Sequence, residues 1–335
     1  MGMGPLENAA SAVEAAVEAA AVVGAAAAVA GILPSVAASA VPSAGSYAVL
    51  QCGEDSEYVR KAYSGYFQVF RSLLEEDGES WRVYRALRGE LPTDAEAAGF
   101  DGFVISGSCA DAHGDEPWIL ALVDLIRRLH AAGKRILGVC FGHQILCRAL
   151  GGRTGRSTKG WDIGVSCIHP TAAAARLFAP LKLPVHMPVI EFHQDEVWEL
   201  PPNAEVLARS DKTRVEMFRY GDRVMGVQGH PEYSKDILMS IADRLLQRNL
   251  ILVRVGFCCS HLHDSGSNEK ILKKKIASAV LINVYGLLQD CQVDVAKASF
   301  DVRQPDKELW KKVCRGFLKG RLPSQQQKQQ AVVVL

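Results

Sequence analysis

After residue 46, two patterns of hydrophobic and polar residues alternate along the chain, one typical of strands and the other typical of helices. Short apolar runs bounded by glycine or polar residues predict strands at Tyr47–Cys52, Trp81–Tyr84, Phe103–Ser106, Ile136–Val139, Val206–Ala208, Val215–Phe218 and Val224–Val227. Apolar residues spaced three or four apart predict helices at Tyr63–Leu74, Trp118–Leu129, Ile145–Leu150 and Ser234–Leu246. Strands that alternate with helices indicate an α/β fold with a mainly parallel sheet flanked by helices. Further short apolar runs between residues 161 and 188 predict a β-rich addition at the sheet edge.

The segments outside this region differ in composition. Residues 1–46 are rich in alanine, and the first basic residue of the chain is Arg60. Since secretory signals and transit peptides need early basic residues, we expect a disordered extension and a cytosolic location, with a plastid transit peptide as the alternative. We expect the main domain at 47–250, an atypical insertion at 251–290, a C-terminal helical segment at 291–322 and a tail at 323–335.

Composition narrows the possible partners. The 335 residues carry a formal net charge of +1, which gives no electrostatic reason to expect a nucleic acid or a membrane surface as partner. The nine cysteines form no C-x-x-C pair, a pattern that favours free thiols in a reducing compartment. Cysteine and histidine occur together at Cys258–His263, but no second ligand pair balances them, so neither a metal nor a cofactor is predicted.

One strand-to-helix junction carries a candidate nucleophile. Gly138-Val-Cys140-Phe-Gly142 follows the predicted strand Ile136–Val139 and leads into the next helix. This G-x-C-x-G spacing is the cysteine form of the nucleophile elbow, in which a tight turn lifts the central side chain clear of the sheet. The Cys140 sulfur would then lie at a helix N-terminus, where unpaired N–H groups favour the thiolate. A buried structural cysteine beside small residues is the alternative.

A second motif supplies a base and a carboxylate. A cysteine nucleophile needs a base to take its proton and a third group to orient that base. His230 follows the predicted strand Val224–Val227, which could bring it to the same sheet edge as Cys140, and Glu232 comes two residues later. An isolated His-Pro-Glu sequence is usually an ordinary loop. Together with the elbow, it predicts a triad of Cys140, His230 and Glu232.

These motifs resemble those of a known family. Gly138–Gln144 and Gln228–Glu232 resemble the G-x-C-x-G and H-P-E motifs of the class I glutamine amidotransferase superfamily. Within that superfamily the chain is most similar to the plant γ-glutamyl peptidases, at Gln51–Glu57, Gly102–Ser108 and Glu216–Gly221. The resemblance implies a flavodoxin-like fold, with Cys140 as nucleophile, His230 as base and Glu232 as orienting carboxylate.

The same resemblance implies further site residues. The backbone N–H groups of Gly107 and Phe141 would form the oxyanion hole, although Ser106-Gly-Ser108 replaces the Gly-Gly-Pro stretch of many ammonia-donating relatives. Gln144 matches a position that helps to hold the glutamyl group, or it is a structural hydrogen-bonding residue of its helix. His193 belongs to an H-x-D pair that either binds substrate or shapes the pocket through hydrogen bonds.

By this resemblance we expect a cysteine hydrolase that cleaves the γ-glutamyl amide bond of glutathione conjugates or related γ-glutamyl compounds. The reaction would pass through a γ-glutamyl thioester, in glutathione and sulfur-containing defence metabolism, and its partner would be the small-molecule substrate alone. The alternative is a glutamine amidotransferase subunit that delivers ammonia to a synthetase, but no synthetase partner is expected. A third hypothesis is a non-enzymatic binding module, against which the intact Cys140, His230 and Glu232 argue.

Overall fold

The computed structural model describes residues 45–247 and 294–322. Strands β1 to β11 are Ser46–Gln51, Ser80–Arg85, Gly102–Ile105, Arg135–Val139, Arg153–Arg156, Asp162–Pro170, Met187–His193, Asp195–Glu199, Ala204–Arg209, Met217–Tyr220 and Val224–Val227. Helices α1 to α8 are Glu57–Tyr63, Tyr66–Leu74, Asp94–Ala98, Pro117–Ala131, Phe141–Ala149, Ala172–Leu177, Lys235–Gln247 and Lys307–Leu318. Residues 294–302 are also helical. The predicted insertion at 251–290, the tail at 323–335 and nearly all of the extension at 1–46 lie outside the described residues, and the predicted domain bounds stay predictions.

One sheet runs through the molecule in the order β2-β1-β3-β4-β11-β10-β9-β6-β7. The five strands from β2 to β11 pair in parallel, and the pairs from β11 to β7 are antiparallel. Strands β5 and β8 form a separate antiparallel pair. The predicted α/β fold, with its parallel sheet and β-rich addition, is confirmed.

Both faces of the parallel half are buried, and alternate residues of each strand enter different cores. On one face Leu50, Ile105 and Ile136 pack with residues of α4 and α5. On the other face Val49, Val104 and Leu137 pack with residues of α2 and α8. Strands buried on both sides read as continuous apolar runs, which is why the sequence pattern located them.

The helix predicted over Tyr63–Leu74 is interrupted. Ser64 adopts a left-handed conformation (φ 61°) as the C-terminal cap of α1, and Gly65 (φ 104°) precedes α2. The chain therefore turns between two short helices, and the buried apolar face belongs to α2 alone. The prediction was wrong at this point because the serine gives little sequence signal for a left-handed conformation.

The C-terminal helix α8 packs on the sheet next to α2. Its Trp310 is buried and donates a hydrogen bond from Nε1 to the Pro188 carbonyl oxygen at 2.9 Å. Arg315 donates to the Leu73 carbonyl oxygen at 2.9 Å. The segment after the predicted insertion thus completes the core of the domain. No helix of residues 45–247 and 294–322 is long and apolar enough to cross a membrane.

The sheet also determines where chemistry can occur. Because β1, β3, β4 and β11 are parallel, their carboxyl ends lie at the same edge. Ligands in such sheets bind beyond the carboxyl ends of the strands. Four antiparallel steps give β7 the same direction as β11. The loop after β11 joins it to β7, since the His230 N–H donates to the Ile190 carbonyl oxygen at 2.7 Å.

Candidate active site

Cys140 occupies a strained turn between β4 and α5. Its φ of 53° is positive, an uncommon conformation for a residue other than glycine that costs roughly 1–3 kcal/mol and often occurs at active sites. A Cβ atom on Gly138 would collide with the backbone of Gly142, and one on Gly142 would collide with the Ile105 carbonyl group. The two glycines are therefore required by close backbone contacts. The Cys140 N–H donates to the Val227 carbonyl oxygen at 2.9 Å, which fixes the turn against β11.

The structure brings His230 and Glu232 together beside this turn. Nδ1 of His230 lies 2.8 Å from Oε1 of Glu232, and both side chains are buried. Burial lowers the pKa of His230, but the charges of Glu232 and Cys140 and hydrogen bonds to both outweigh it and raise the pKa to about 10. The raised pKa favours the protonated imidazole at neutral pH, and because Nδ1 is engaged by the carboxylate, Nε2 is the nitrogen left for a proton transfer.

Gly107 lies against both members of this pair. A Cβ atom at Gly107 would approach Cε1 of His230 to 2.9 Å and the Cβ of Cys140 to 3.7 Å. The Ser106 hydroxyl accepts a hydrogen bond from the Cys52 N–H at 2.8 Å and donates to the Gly107 carbonyl oxygen at 3.0 Å, which anchors the Gly107 loop to β1. Only a residue without a side chain fits here.

Phe141 is the first residue of α5, directly after Cys140. Its backbone N–H therefore has no acceptor within the helix. Its ring packs on Trp118 with the ring centroids 5.5 Å apart, which holds this end of the helix in place. Gly107 and Phe141 thus both lie next to Cys140, and their role as oxyanion donors stays a prediction.

Two cavities border Cys140. The first, which we call the Tyr233 cavity, has a volume of about 300 Å³ and is lined among others by Tyr66, Gly107, His230, Tyr233 and Arg244. The second, the Gln144 cavity, has a volume of about 190 Å³ and is lined among others by Gln144, Arg156, Trp161, His193 and Asp195. Cys140 and Phe192 line both cavities, but His230 lines only the first.

Gln144 and His193, the two predicted substrate-binding residues, share the Gln144 cavity. The Gln144 amide nitrogen donates to the Asp195 carbonyl oxygen at 2.9 Å and to Oε1 of Gln228 at 3.1 Å. Nδ1 of His193 lies 2.9 Å from the same Asp195 carbonyl oxygen. Protein acceptors therefore use both Gln144 N–H groups, which favours the structural alternative, although its side-chain oxygen remains for a ligand.

Comparison with known proteins identifies the family. The family model described as "Glutamine amidotransferase class-I" matches residues 60–239. Gamma-glutamyl peptidase 5 of Arabidopsis thaliana is 40% identical over 277 residues, which cover 82% of this chain and 96% of the relative. The chain belongs to the class I glutamine amidotransferase family.

One further relative agrees with this assignment, and one solved structure agrees with the fold. Gamma-glutamyl peptidase 3 of Arabidopsis thaliana is 39% identical over 269 residues, covering 79% of this chain and 93% of the relative. The solved structure of SMU.1228c matches the fold with a TM-score of 0.50 at 22% identity, covering 61% of this chain and 86% of that one. The predicted family and the prediction of an enzyme of this type are confirmed.

Two clusters near the site offer metal-ligand atoms within 4.8 Å of one another. In the first cluster, Arg156 forms ion pairs with Asp111 at 3.0 Å and with Asp195 at 2.7 Å, so its guanidinium already offsets the negative charge of these carboxylates. The second consists of Glu191, His193 and Glu216, all buried. Burial raises the pKa of both glutamates well above the usual range; the charge of Asp162 adds to the rise for Glu191, and the charge of Glu191 adds to the rise for Glu216. Neutral carboxyl groups are poor metal ligands, and the absence of a metal stays a prediction.

Sequence reasoning missed three features of this candidate site. The Tyr233 ring stacks on His230, the Ser106 hydroxyl anchors Gly107, and Arg244 reaches the Tyr233 cavity from α7. Tyr233 directly follows the H-P-E motif, so its position was a usable signal. The sequence around Arg244 gives no such signal, because only the packing of α7 brings this residue to the cavity beside Cys140.

Proposed function

We propose that this enzyme hydrolyses the γ-glutamyl amide bond of glutathione conjugates and related γ-glutamyl peptides. One observation supports this most: Cys140 borders two cavities, and the larger one contains His230. The group that protonates the departing amine must face that amine. The leaving half of the substrate is therefore assigned to the Tyr233 cavity, and the glutamyl half to the Gln144 cavity.

The size and lining of the two cavities support a peptide substrate. Ammonia, the leaving group from glutamine, needs almost no room, whereas the Tyr233 cavity measures about 300 Å³. Its apolar lining suits the substituent of a glutathione conjugate, and includes Tyr66, Phe70, Leu87, Phe192, Tyr233 and Ile241. The Gln144 cavity is lined by Arg156 and by Asp111 and Asp195, the two carboxylates with which it pairs, and this charged lining suits the amino and carboxylate groups at the far end of a glutamyl group.

In the proposed mechanism the Cys140 thiolate attacks the γ-carbonyl carbon and forms a carbon–sulfur bond. The backbone N–H groups of Gly107 and Phe141 bind the developing oxyanion. Nε2 of the His230 imidazolium gives its proton to the amide nitrogen, the carbon–nitrogen bond breaks, and a γ-glutamyl thioester remains. Water then gives a proton to His230 and attacks the thioester carbon. The carbon–sulfur bond breaks, glutamate leaves, and the Cys140 thiolate is restored beside the protonated His230.

Product analysis tests this proposal. Purified protein is incubated separately with a glutathione S-conjugate, with glutathione and with glutamine, and all products are identified by mass spectrometry. We expect glutamate and the intact cysteinylglycine moiety from both peptides, and slower release from glutamine. Turnover of glutamine alone, or stimulation only by a synthetase, would favour the ammonia-delivering alternative.

A further inference from the structure

Arg244 places a positive charge in the Tyr233 cavity without a described partner. The residue lies on α7 and is half-buried. Its Nε is fully buried and has no hydrogen-bond partner among residues 45–247 and 294–322. Arg244 also lies close to Tyr66: burial raises the pKa of Tyr66 to about 12, and the Arg244 charge opposes this rise. Because Nε is buried, the guanidinium is held in place at the cavity wall, and a guanidinium held there without a described acceptor points to a ligand whose oxygens pair with its other N–H groups.

The carboxylates that line the same cavity are already engaged. Glu54 accepts two hydrogen bonds from Arg88, at 2.9 and 2.8 Å. Glu232 is engaged by His230 at 2.8 Å. Within the described part of the chain, the cavity therefore holds a cation whose charge these two anions do not neutralise.

The chemistry of the leaving half supplies the missing group. A planar guanidinium binds a carboxylate through two parallel hydrogen bonds. Peptides that leave from a γ-glutamyl bond end in a carboxylate, whereas ammonia from glutamine has none. We propose that Arg244 binds the C-terminal carboxylate of the leaving peptide. This inference rests on the proposed function, because it assumes that the leaving half occupies the Tyr233 cavity.

This role makes Arg244 a specificity residue. It would select γ-glutamyl peptides with a free C-terminus over glutamine and over peptides whose terminus is blocked. The aromatic walls would accept varied sulfur substituents, while the guanidinium fixes the end of the peptide. The enzyme would thus tolerate different conjugates but require the carboxylate.

Paired substrates test the inference. The values of kcat and KM are measured for γ-glutamylcysteinylglycine, for its C-terminal carboxamide and for glutamine, with the wild type and the Arg244→Leu variant. We expect the wild type to prefer the free acid by about 10- to 100-fold in kcat/KM. Arg244→Leu should abolish the preference through KM for the acid and should lower kcat/KM for the carboxamide and for glutamine far less than for the acid. Arg244→Lys should retain part of the preference, since it keeps the charge but loses the bidentate geometry.

A matched control and a binding measurement complete the design. Arg128→Leu removes an exposed arginine that pairs with Asp94 on the surface, and it should behave as the wild type. Calorimetric titration of γ-glutamylcysteinylglycine into the Cys140→Ala variant measures binding without turnover, and adding Arg244→Leu should weaken binding at least about 10-fold.

The outcomes separate the two proposals. If the wild type prefers neither acid nor amide, or if Arg244→Leu slows all three substrates equally, Arg244 does not bind the carboxylate, although γ-glutamyl hydrolysis stands. If the wild type hydrolyses no γ-glutamyl compound, the proposed function fails, and the titration decides the Arg244 site by itself.

Discussion

The Tyr233 ring lies flat on the His230 imidazole, with the ring centroids 4.0 Å apart and the planes inclined by 6°. Tyr233 is buried, and burial raises the pKa of its phenol well above the ordinary value, so the phenol stays neutral. A neutral aromatic face stabilises an imidazolium much as it stabilises other cations. Two contacts thus hold the histidine: a carboxylate in its plane and an aromatic ring on its face.

Removal of the Tyr233 ring should destabilise the protonated form of His230. We expect Tyr233→Ala to lower kcat/KM about 2- to 30-fold, the range of a cation–π contact, and to move the basic limb of the pH–rate profile to lower pH. Tyr233→Phe keeps the ring and should preserve both. An unchanged pH profile in Tyr233→Ala would show that the ring only fills space.

The Glu232 carboxylate should control the charge of His230. The raised pKa, about 10, means that His230 contributes stability fully below its ordinary pKa near 6.5, and this contribution declines until it is lost above about pH 10. Glu232→Gln removes the charge that raises the pKa most, so the free energy of unfolding should lose part of this pH dependence. Chemical denaturation of both proteins between pH 6 and 10 measures it. Parallel curves would contradict the assignment.

Gly107 should tolerate no side chain. The added Cβ of Gly107→Ala would lie 2.9 Å from the His230 ring, so either the ring or the loop must move. We expect kcat/KM to fall by about 100-fold or more, as when an oxyanion donor is displaced, with little change in folding. Gly99→Ala is the matched control, because Gly99 has an ordinary φ of −76° and its Cβ would meet only a 3.4 Å contact. Near-normal activity of Gly107→Ala would remove Gly107 from the site.

The helix after the predicted insertion should be essential to the fold. Trp310→Ala removes a fully buried side chain and its hydrogen bond to Pro188, so we expect a loss of about 3–5 kcal/mol in the free energy of unfolding. Trp198 is 52% exposed, and Trp198→Ala should cost less than about 1 kcal/mol. Urea denaturation compares the two. Equal losses would mean that α8 adds little to the domain.

Much of the fold was predictable because its signals are local. The strands β1, β3, β4 and β11 are short apolar runs, and the elbow requires two glycines at fixed spacing around Cys140. The strand directions then bring His230 to the same edge. The prediction was less accurate at β10. The strand was predicted to begin at Val215, but it begins at Met217, where its register with β9 shifts.

Other parts of the site depend on contacts that no local pattern encodes. The sequence fits two roles for Gln144 equally well, binding of the glutamyl group and structural hydrogen bonding within the protein. Only the three-dimensional contacts show that Asp195 and Gln228 accept both of its N–H groups. Arg244 joins the cavity through the packing of α7. Tyr233 stacks because the turn after His230 returns its ring to the imidazole.

The most direct test asks whether the Cys140 sulfur carries the acyl group. The enzyme is mixed with a γ-glutamyl peptide, quenched in acid during turnover, and analysed by peptide mapping with mass spectrometry. We predict a γ-glutamyl adduct on Cys140 alone, and neither adduct nor turnover in Cys140→Ser, with activity reduced at least about 1000-fold. Normal turnover by Cys140→Ser, or an adduct on another residue, would contradict the proposed mechanism.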